Sequence, residues 1–181
     1  MTSHEYDPRK LQELIVYVAD MSRGDRFFGK TKLNKILFYA DFTAYRRLGH
    51  SITGAVYQHL PQGPCPHQLL PALEALGDDL REEFESTYVG TRTRLVPLRA
   101  AVLELFTGEE VGIVNAVLDD LRPYTAQGIS DLSHATMAFR LTRDYHEIPY
   151  GTALLANAEP TADDVQWLED VSGATLGVAA R

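Results

Sequence analysis

The sequence contains a single cysteine and no long apolar segment. Cys65 is alone among 181 residues, so no disulfide can form within the chain, and a reducing compartment is the expected environment. No apolar run approaches the roughly 20 residues that a membrane-spanning helix requires. Residues 1–10 also lack the apolar stretch of a signal peptide. These absences predict a cytoplasmic protein with no membrane partner.

An excess of positive charge is also missing, because the formal net charge is −8. Residues 1–50 carry 9 basic and 6 acidic side chains, which leaves 8 basic and 19 acidic side chains for the rest. A protein that binds duplex nucleic acid usually shows a basic surface, since counterion release from phosphates drives much of the affinity. The acidic part would repel nucleic acid and attract a basic partner, or it serves only solubility.

The composition and the apolar spacing favour one mainly α (α+β) domain, a single globular helical domain with a small β-hairpin. Hydrophobic residues make up 45% and charged residues 23%, which is ordinary for a folded domain. Apolar residues at helical spacing predict a first helix over Pro8–Asp20, capped by Asp7. A second helix is predicted from Thr31, as its N-cap, to Leu48, with Gly49 ending it.

The centre of the chain predicts one more helix and the hairpin. Frequent Gly and Pro argue against regular helix over 50–66, where 55–60 reads as a short extended run. A helix is expected from Pro66 to Gly77 with a kink at Pro71, because proline lacks the amide donor. Residues 84–89 and 91–98 are rich in Thr, Tyr and Val and predict a β-hairpin around Gly90.

Capping signals define the last third of the chain. Thr107-Gly-Glu-Glu110 is a capping-box pattern, and it predicts a helix that Pro123 stops. Residues 130–140 predict another short helix. Thr161-Ala-Asp-Asp164 repeats the capping signal before a final helix, and residues 173–181 are expected to fray.

No residue pattern points to catalysis, to a cofactor or to a metal. His59, Cys65 and His67 are possible zinc ligands, but a fourth ligand has no evident source. Cys65 lacks the surroundings of a nucleophile. Ser133 and His134 are adjacent, so on a helix their side chains diverge by about 100° and cannot pair. Ser133 or Asp131 is expected to cap a helix and His134 to make a buried hydrogen bond. The protein is therefore predicted not to be an enzyme.

Basic residues at both ends of the second helix raise the possibility of DNA binding. Lys30, Lys32 and Lys35 cluster at its start, and Arg46 and Arg47 lie at its end. The helix carries aromatic residues among these charges and lacks a polar face that could read base edges. Lysines at a helix N-terminus oppose the helix dipole, so acidic neighbours or a partner are expected to hold them.

Residues 30–66 carry an ordered set of motifs. The set comprises Lys32-Leu-Asn-Lys35-Ile-Leu-Phe-Tyr39-Ala-Asp41, then Gly49-His-Ser-Ile-Thr-Gly54, Tyr57 and Leu60-Pro61-Gln-Gly63-Pro64-Cys-Pro66. Leu132-Ser133-His134 and Ile148-Pro-Tyr150 follow. Together they resemble the Panacea domain of the SocA-like antitoxin family. Gln62, Cys65, Pro71 and Phe139 depart from that family's usual residues.

The resemblance implies an antitoxin that neutralises a cognate protein toxin by direct contact. The alternatives are an adaptor that delivers a partner to a protease and a DNA-binding autoregulator that uses Lys30, Lys32 and Lys35. The implied organisation is an N-terminal helix over 1–24, the Panacea-like domain over 25–155 and a C-terminal helix and tail over 156–181. Aromatic and Arg side chains are common binding anchors, and the candidate contacts are Tyr39, Tyr45, Arg46, Tyr57 and His67.

Overall fold

The computed structural model describes residues 5–88, 90–155 and 161–172, and it shows a mainly α-helical (α+β) single domain. The α-helices are α1 (Pro8–Met21), α2 (Lys30–Leu48), α3 (Leu69–Leu76), α4 (Gly108–Leu121), α5 (Ala126–His134), α6 (Met137–Arg140) and α7 (Ala162–Ser172). The strands are β1 (Tyr57–Leu60), β2 (Gly63–Pro66), β3 (Leu80–Thr87) and β4 (Gly90–Pro97). The predicted fold class is confirmed.

The first two helices begin and end at local signals. The Asp7 carboxylate accepts hydrogen bonds from the amides of Arg9 and Lys10 at 2.9 and 3.0 Å, which confirms the predicted cap of α1. At the end of α2, Gly49 adopts a φ of 80° and its amide donates to the Tyr45 carbonyl. The prediction of Thr31 as the N-cap of α2 is wrong. Gly29 holds that position, and Thr31 lies inside the first turn.

The predicted helix from Pro66 to Gly77 is shorter than expected. Pro66 ends β2, and α3 begins only at Leu69. Pro71 is therefore the third residue of α3, where an amide has no partner within the helix. The predicted mid-helix position of Pro71 is wrong for this reason, and its missing donor costs no helical hydrogen bond.

β1 and β2 form an antiparallel hairpin whose two-residue turn is Pro61-Gln62. Only the first strand was expected from the sequence, because the prolines of β2 are rare in strands; they are tolerated here at a sheet edge. The other edge of β1 pairs with residues 145–148. The Ile148 amide donates to the Tyr57 carbonyl at 2.7 Å, and the His59 amide donates to the His146 carbonyl at 2.9 Å.

β3 and β4 form the predicted hairpin, with Leu80 opposite Pro97 and Thr87 opposite Gly90. An arginine ties its base to α1. Arg99 donates to both carboxylate oxygens of Glu13, at 2.7 and 2.8 Å, and to Asp79 at 2.7 Å. These bonds lower the pKa of Glu13 more than its partial burial raises it.

The capping predictions for α4 and α7 are confirmed. Thr107 and Glu110 exchange both bonds of the capping box, and Thr161 and Asp164 do the same at the start of α7. Residues 130–140 form parts of two helices rather than one, because the Thr136 hydroxyl caps α6 and interrupts the run. The predicted frayed tail lies outside the described residues.

α2 is the central element of the core. It packs against α1, α4, α5, β2 and β4, and most of its circumference is buried. This position explains why its sequence is apolar on two sides. Among the described helices, no segment is both long and apolar enough to cross a membrane.

Candidate partner-binding site

The motif residues meet at a buried carboxylate on α2. Asp41 has no solvent exposure. Its Oδ1 accepts hydrogen bonds from the amides of Ile52 and Thr53, each at 2.8 Å. Its Oδ2 accepts from the Thr53 hydroxyl at 2.6 Å and from the Tyr57 hydroxyl at 2.7 Å. Burial raises the pKa of Asp41, and the four donors oppose that rise. Asp41 thus ties the loop after α2 to the helix.

Aromatic rings surround this carboxylate. The Tyr57 ring packs edge-to-face on Phe38 and on Phe42, with centroid distances of 5.6 Å in both cases. The Tyr150 ring packs against Phe42 in a tilted arrangement, with 4.7 Å between centroids, and its hydroxyl donates to the Ala55 carbonyl at 2.7 Å. The late Ile-Pro-Tyr motif therefore completes a network begun on α2.

Tyr57 was expected to contact a partner, but the structure buries it. Its side chain is 1% exposed, so it presents no surface to a partner in this structure. The hydroxyl bond to Asp41 and the ring contacts account for its burial. Sequence reasoning placed it in a projecting loop, whereas β1 turns it into the core.

Gly54 occupies a backbone position that strongly favours glycine. Its φ is 68°, and a Cβ there would lie 2.4 Å from the Glu5 carbonyl oxygen. The neighbouring Thr53 carbonyl accepts the Asp7 amide at 2.9 Å. Gly54 therefore lets the N-terminal segment pass over the Asp41-bound loop.

We expect Gly54→Ala to lower the free energy of unfolding by about 2 kcal/mol. About 1 kcal/mol comes from the left-handed backbone, and the remainder comes from displacing residues 5–7. Gly49→Ala is the matched control, since Gly49 has a φ of 80° but a Cβ there would meet no atom within 4 Å. Urea unfolding of both variants measures the difference. Equal losses would show that the close contact with Glu5 contributes nothing.

Two of the three motif-region lysines have acidic partners, as expected. Lys32 is 1% exposed and lies 2.6 Å from the Asp25 carboxylate. Its ammonium also donates to the Arg122 and Tyr124 carbonyls just beyond α4, at 3.1 and 2.9 Å. Lys30 pairs with Glu82 at 2.5 Å. The Lys32 contacts lie inside the protein, whereas the Lys30–Glu82 pair is half-exposed at the surface.

Lys35 differs because it is buried without a counter-ion. Its side chain is 2% exposed, and among the described residues it forms no ion pair with a carboxylate. A Cβ on Gly63 would lie 2.7 Å from Lys35 Cε and 2.6 Å from Ser133 Oγ, so these three motif residues pack together. Burial lowers the pKa of Lys35 to about 8, and Cys65 partly opposes this.

Ser133 and His134 have different surroundings from those expected. The Ser133 hydroxyl donates to the Ser130 carbonyl at 2.7 Å, while Thr125 caps α5, so the predicted capping role of Ser133 is wrong. The exposed Asp131 accepts a hydrogen bond from Gln127 within the helix. His134 Nε2 is buried without a partner among the described residues, and its ring stacks on Phe139 at 4.3 Å.

The three possible metal ligands near β1 and β2 do not converge. His59 pairs with Pro64, and Cys65 pairs with Gln58, so the two side chains lie on opposite faces of the hairpin. His59 Nδ1 lies 2.8 Å from the Thr142 carbonyl. Burial raises the pKa of the Cys65 thiol. His67 is exposed just after β2, and the described residues contain no group of three His, Cys, Asp or Glu side chains that could hold a metal ion.

A groove runs along the exposed side of α2. It consists of two adjoining cavities of about 490 and 140 Å³ that share Tyr39, Thr43 and Thr136. The larger cavity is walled by α4 and α5, with Val117, Leu121 and Leu132 among its apolar residues. The smaller one is lined by Phe42, Met137 and Arg46. We call the two cavities together the α2 groove.

Two of the five expected contact residues lie in the α2 groove. They are Tyr39 and Arg46. Burial, followed by the nearby Tyr124, raises the pKa of Tyr39 to about 12, so the phenol stays neutral. Tyr45 instead packs against Tyr150, at 5.6 Å between ring centroids.

A protein-family model described as "Antitoxin SocA-like, Panacea domain" matches residues 33–139. The chain belongs to this SocA-like antitoxin family. Neither a curated protein nor a solved structure matches the chain. The segment boundaries expected around 25–155 stay a prediction, since the match covers a shorter range.

Most motif residues of this SocA-like domain lie inside the fold. Asp41, Lys32 and Lys35 are buried on α2, and Gly63 and Pro64 are buried in β2. Pro61 is exposed in the hairpin turn, where its fixed φ suits a tight turn. The motif therefore describes the scaffold, and the α2 groove is built largely from residues outside it.

Sequence reasoning missed the α4 and α5 walls of the groove. One available signal was the Asp119-Asp120 pair in the last turn of α4, where carboxylates oppose the helix dipole. The same argument had singled out the lysines of α2. No local sequence pattern indicates that Thr43, Leu132 and Thr136 line the groove, because their positions depend on how three helices pack.

Proposed function

We propose that this protein is the antitoxin of a toxin–antitoxin pair and neutralises a cognate protein toxin in the cytoplasm by direct binding, without catalysis. Family membership is the observation that carries the proposal. The arrangement of the motif supports it, because Asp41, Thr53 and Tyr57 bond to one another within the protein while an aromatic groove stays open. Proteins that act by binding need such a surface and no reacting group.

Co-expression with the neighbouring open reading frame tests this function. We expect that protein to arrest growth alone and growth to be restored when both are produced. A complex of the two purified proteins should elute together on size exclusion. A neighbour that is harmless alone, or that arrests growth equally in the presence of this protein, contradicts the proposal.

Binding and delivery to a protease predict different toxin levels. For neutralisation by binding, the toxin should persist at an unchanged level in rescued cells and be recoverable in the complex. Rescue that depends on loss of the toxin, and that fails in protease-deficient cells, would replace direct inhibition by the adaptor mode. Immunoblots of the tagged toxin over a translation chase measure this.

The lysine contacts and the net charge argue against nucleic acid as the partner. Of the lysines that suggested DNA binding, Lys32 and Lys35 are buried and the half-exposed Lys30 is paired with Glu82, which disfavours contact with phosphates. A net charge of −8 disfavours nucleic acid. We therefore expect no retardation of the protein's own promoter DNA at physiological salt.

A further inference from the structure

We propose that the α2 groove receives an amphipathic helix of the toxin, with a basic residue of that helix beside Asp120 and an acidic residue beside Arg46. This inference rests on the proposed antitoxin function and names the partner segment. Three properties of the groove carry it: apolar side chains in its larger cavity, walls made largely of helices, and charges of opposite sign in its two cavities.

The floor of the groove fits apolar side chains over two helical turns. Tyr39 and Arg46 are seven residues apart on α2, which corresponds to about 10 Å at 1.5 Å per residue. Between them lies the half-buried Thr43, and the larger cavity adds the apolar side chains of Val117 and Leu121. Tyr124 and Leu132 remain 40% and 37% exposed at the rim. A helix reaches such a span with apolar residues at i, i+3 or i+4, and i+7.

The walls of the groove favour a helix over an extended peptide. The large cavity is bounded by α2, α4 and α5, whose backbone groups are used mostly in their own helical hydrogen bonds. An extended segment needs a free strand edge to satisfy its amides and carbonyls, and these walls provide none. A helix satisfies its own backbone and can insert side chains alone.

The charges at the two ends define which helix fits. Asp120 lines the larger cavity only, and Arg46 lines the smaller one only. Within the described residues, neither side chain forms an ion pair. Opposite charges placed at the ends of an apolar surface select a partner with the complementary order and fix its direction.

Three variants of the groove test the inference by titration calorimetry with the co-expressed toxin. Thr43→Arg fills the centre, and we expect about a 30-fold weaker Kd; Arg46→Glu and Asp120→Lys should each weaken it about 10-fold. The matched controls are exposed residues that line neither cavity. They are Thr91→Arg, Arg47→Glu and Asp78→Lys, and each should change Kd less than about 2-fold.

Hydrogen exchange of the toxin identifies the docked segment. We expect protection to increase over one helix that carries the predicted charge order. If wild-type antitoxin binds and neutralises the toxin but the three groove variants bind equally well, the inference is overturned and the antitoxin function stands. Protection confined to a strand or loop overturns it as well. If the wild type neither binds nor neutralises the toxin, the proposed function itself fails.

Discussion

Asp41→Ala should lower the free energy of unfolding by about 4 kcal/mol, because it leaves four buried hydrogen-bond donors without an acceptor. The amides of Ile52 and Thr53 and the hydroxyls of Thr53 and Tyr57 all point at this carboxylate. Each buried polar group left without a partner costs about 1–3 kcal/mol, reduced where water can enter the cavity. Urea denaturation at pH 7 measures the loss.

Two further substitutions provide the comparisons for Asp41→Ala: one removes a single donor of the network, and the other removes an exposed carboxylate. Tyr57→Phe removes one donor and keeps the ring, so we expect a cost of about 1–2 kcal/mol. Asp119→Ala, on the exposed surface of α4, should cost under about 0.5 kcal/mol. An Asp41→Ala variant that unfolds at the same urea concentration as Asp119→Ala would show that the network does not hold the loop.

Lys35→Met should raise the free energy of unfolding by about 2–3 kcal/mol at pH 7. The Lys35 side chain is 2% exposed and forms no ion pair with a carboxylate among the described residues, and burial holds its pKa at about 8 against an ordinary value of 10.5. One pKa unit corresponds to about 1.4 kcal/mol between protonation states. Methionine keeps an unbranched side chain, one atom shorter than that of lysine, and removes the charge that must be desolvated.

The pH dependence gives this prediction a second test. Below about pH 8 both folded and unfolded chains carry the Lys35 proton, so the folded state bears the full cost of the buried charge. Between about pH 8 and 10.5 only the unfolded chain keeps that proton, so stability rises with pH. The advantage of Lys35→Met should therefore shrink by about 2 kcal/mol between pH 7 and 9.5.

A matched lysine provides the control for the pH series. Lys10 is partly exposed and paired with Glu110 at 2.8 Å, so Lys10→Met should not gain stability at pH 7. The series stops at pH 9.5 because the buried Tyr57 and Tyr150 have raised pKa values. Above the pH at which tyrosines of the unfolded chain ionise, these two buried tyrosines lower the free energy of unfolding. A pH-independent difference between wild type and Lys35→Met would contradict the buried, unpaired ammonium.

Local signals in the sequence predicted the secondary structure most reliably at helix ends. Asp7, Thr107 and Thr161 each cap the helix they were expected to cap. A cap depends on groups within about one turn, so a short window of sequence contains its cause. The prediction failed at the start of α2, where Gly29 rather than Thr31 holds the N-cap position and no side chain caps the helix.

Side-chain burial was harder to predict. Tyr57 and Lys35 belong to polar or loop-like stretches, yet the fold buries both. Pairing of β1 with residues from the far end of the chain turns Tyr57 inward, and α5 covers Lys35 together with β2. These contacts join segments that lie far apart along the chain, and no local propensity encodes them.

The sequence by itself determined the fold class, the caps of α1, α4 and α7 and the SocA-like family, because periodicity, capping and ordered motifs are local properties. Only the tertiary structure showed that the motif is mainly scaffold, built around Asp41. Only the tertiary structure formed the α2 groove, where Tyr39 meets α4 and α5 and Asp120 lies at the other end from Arg46. The physical reason is that a binding surface is made by packing distant helices, and their relative placement depends on the whole core.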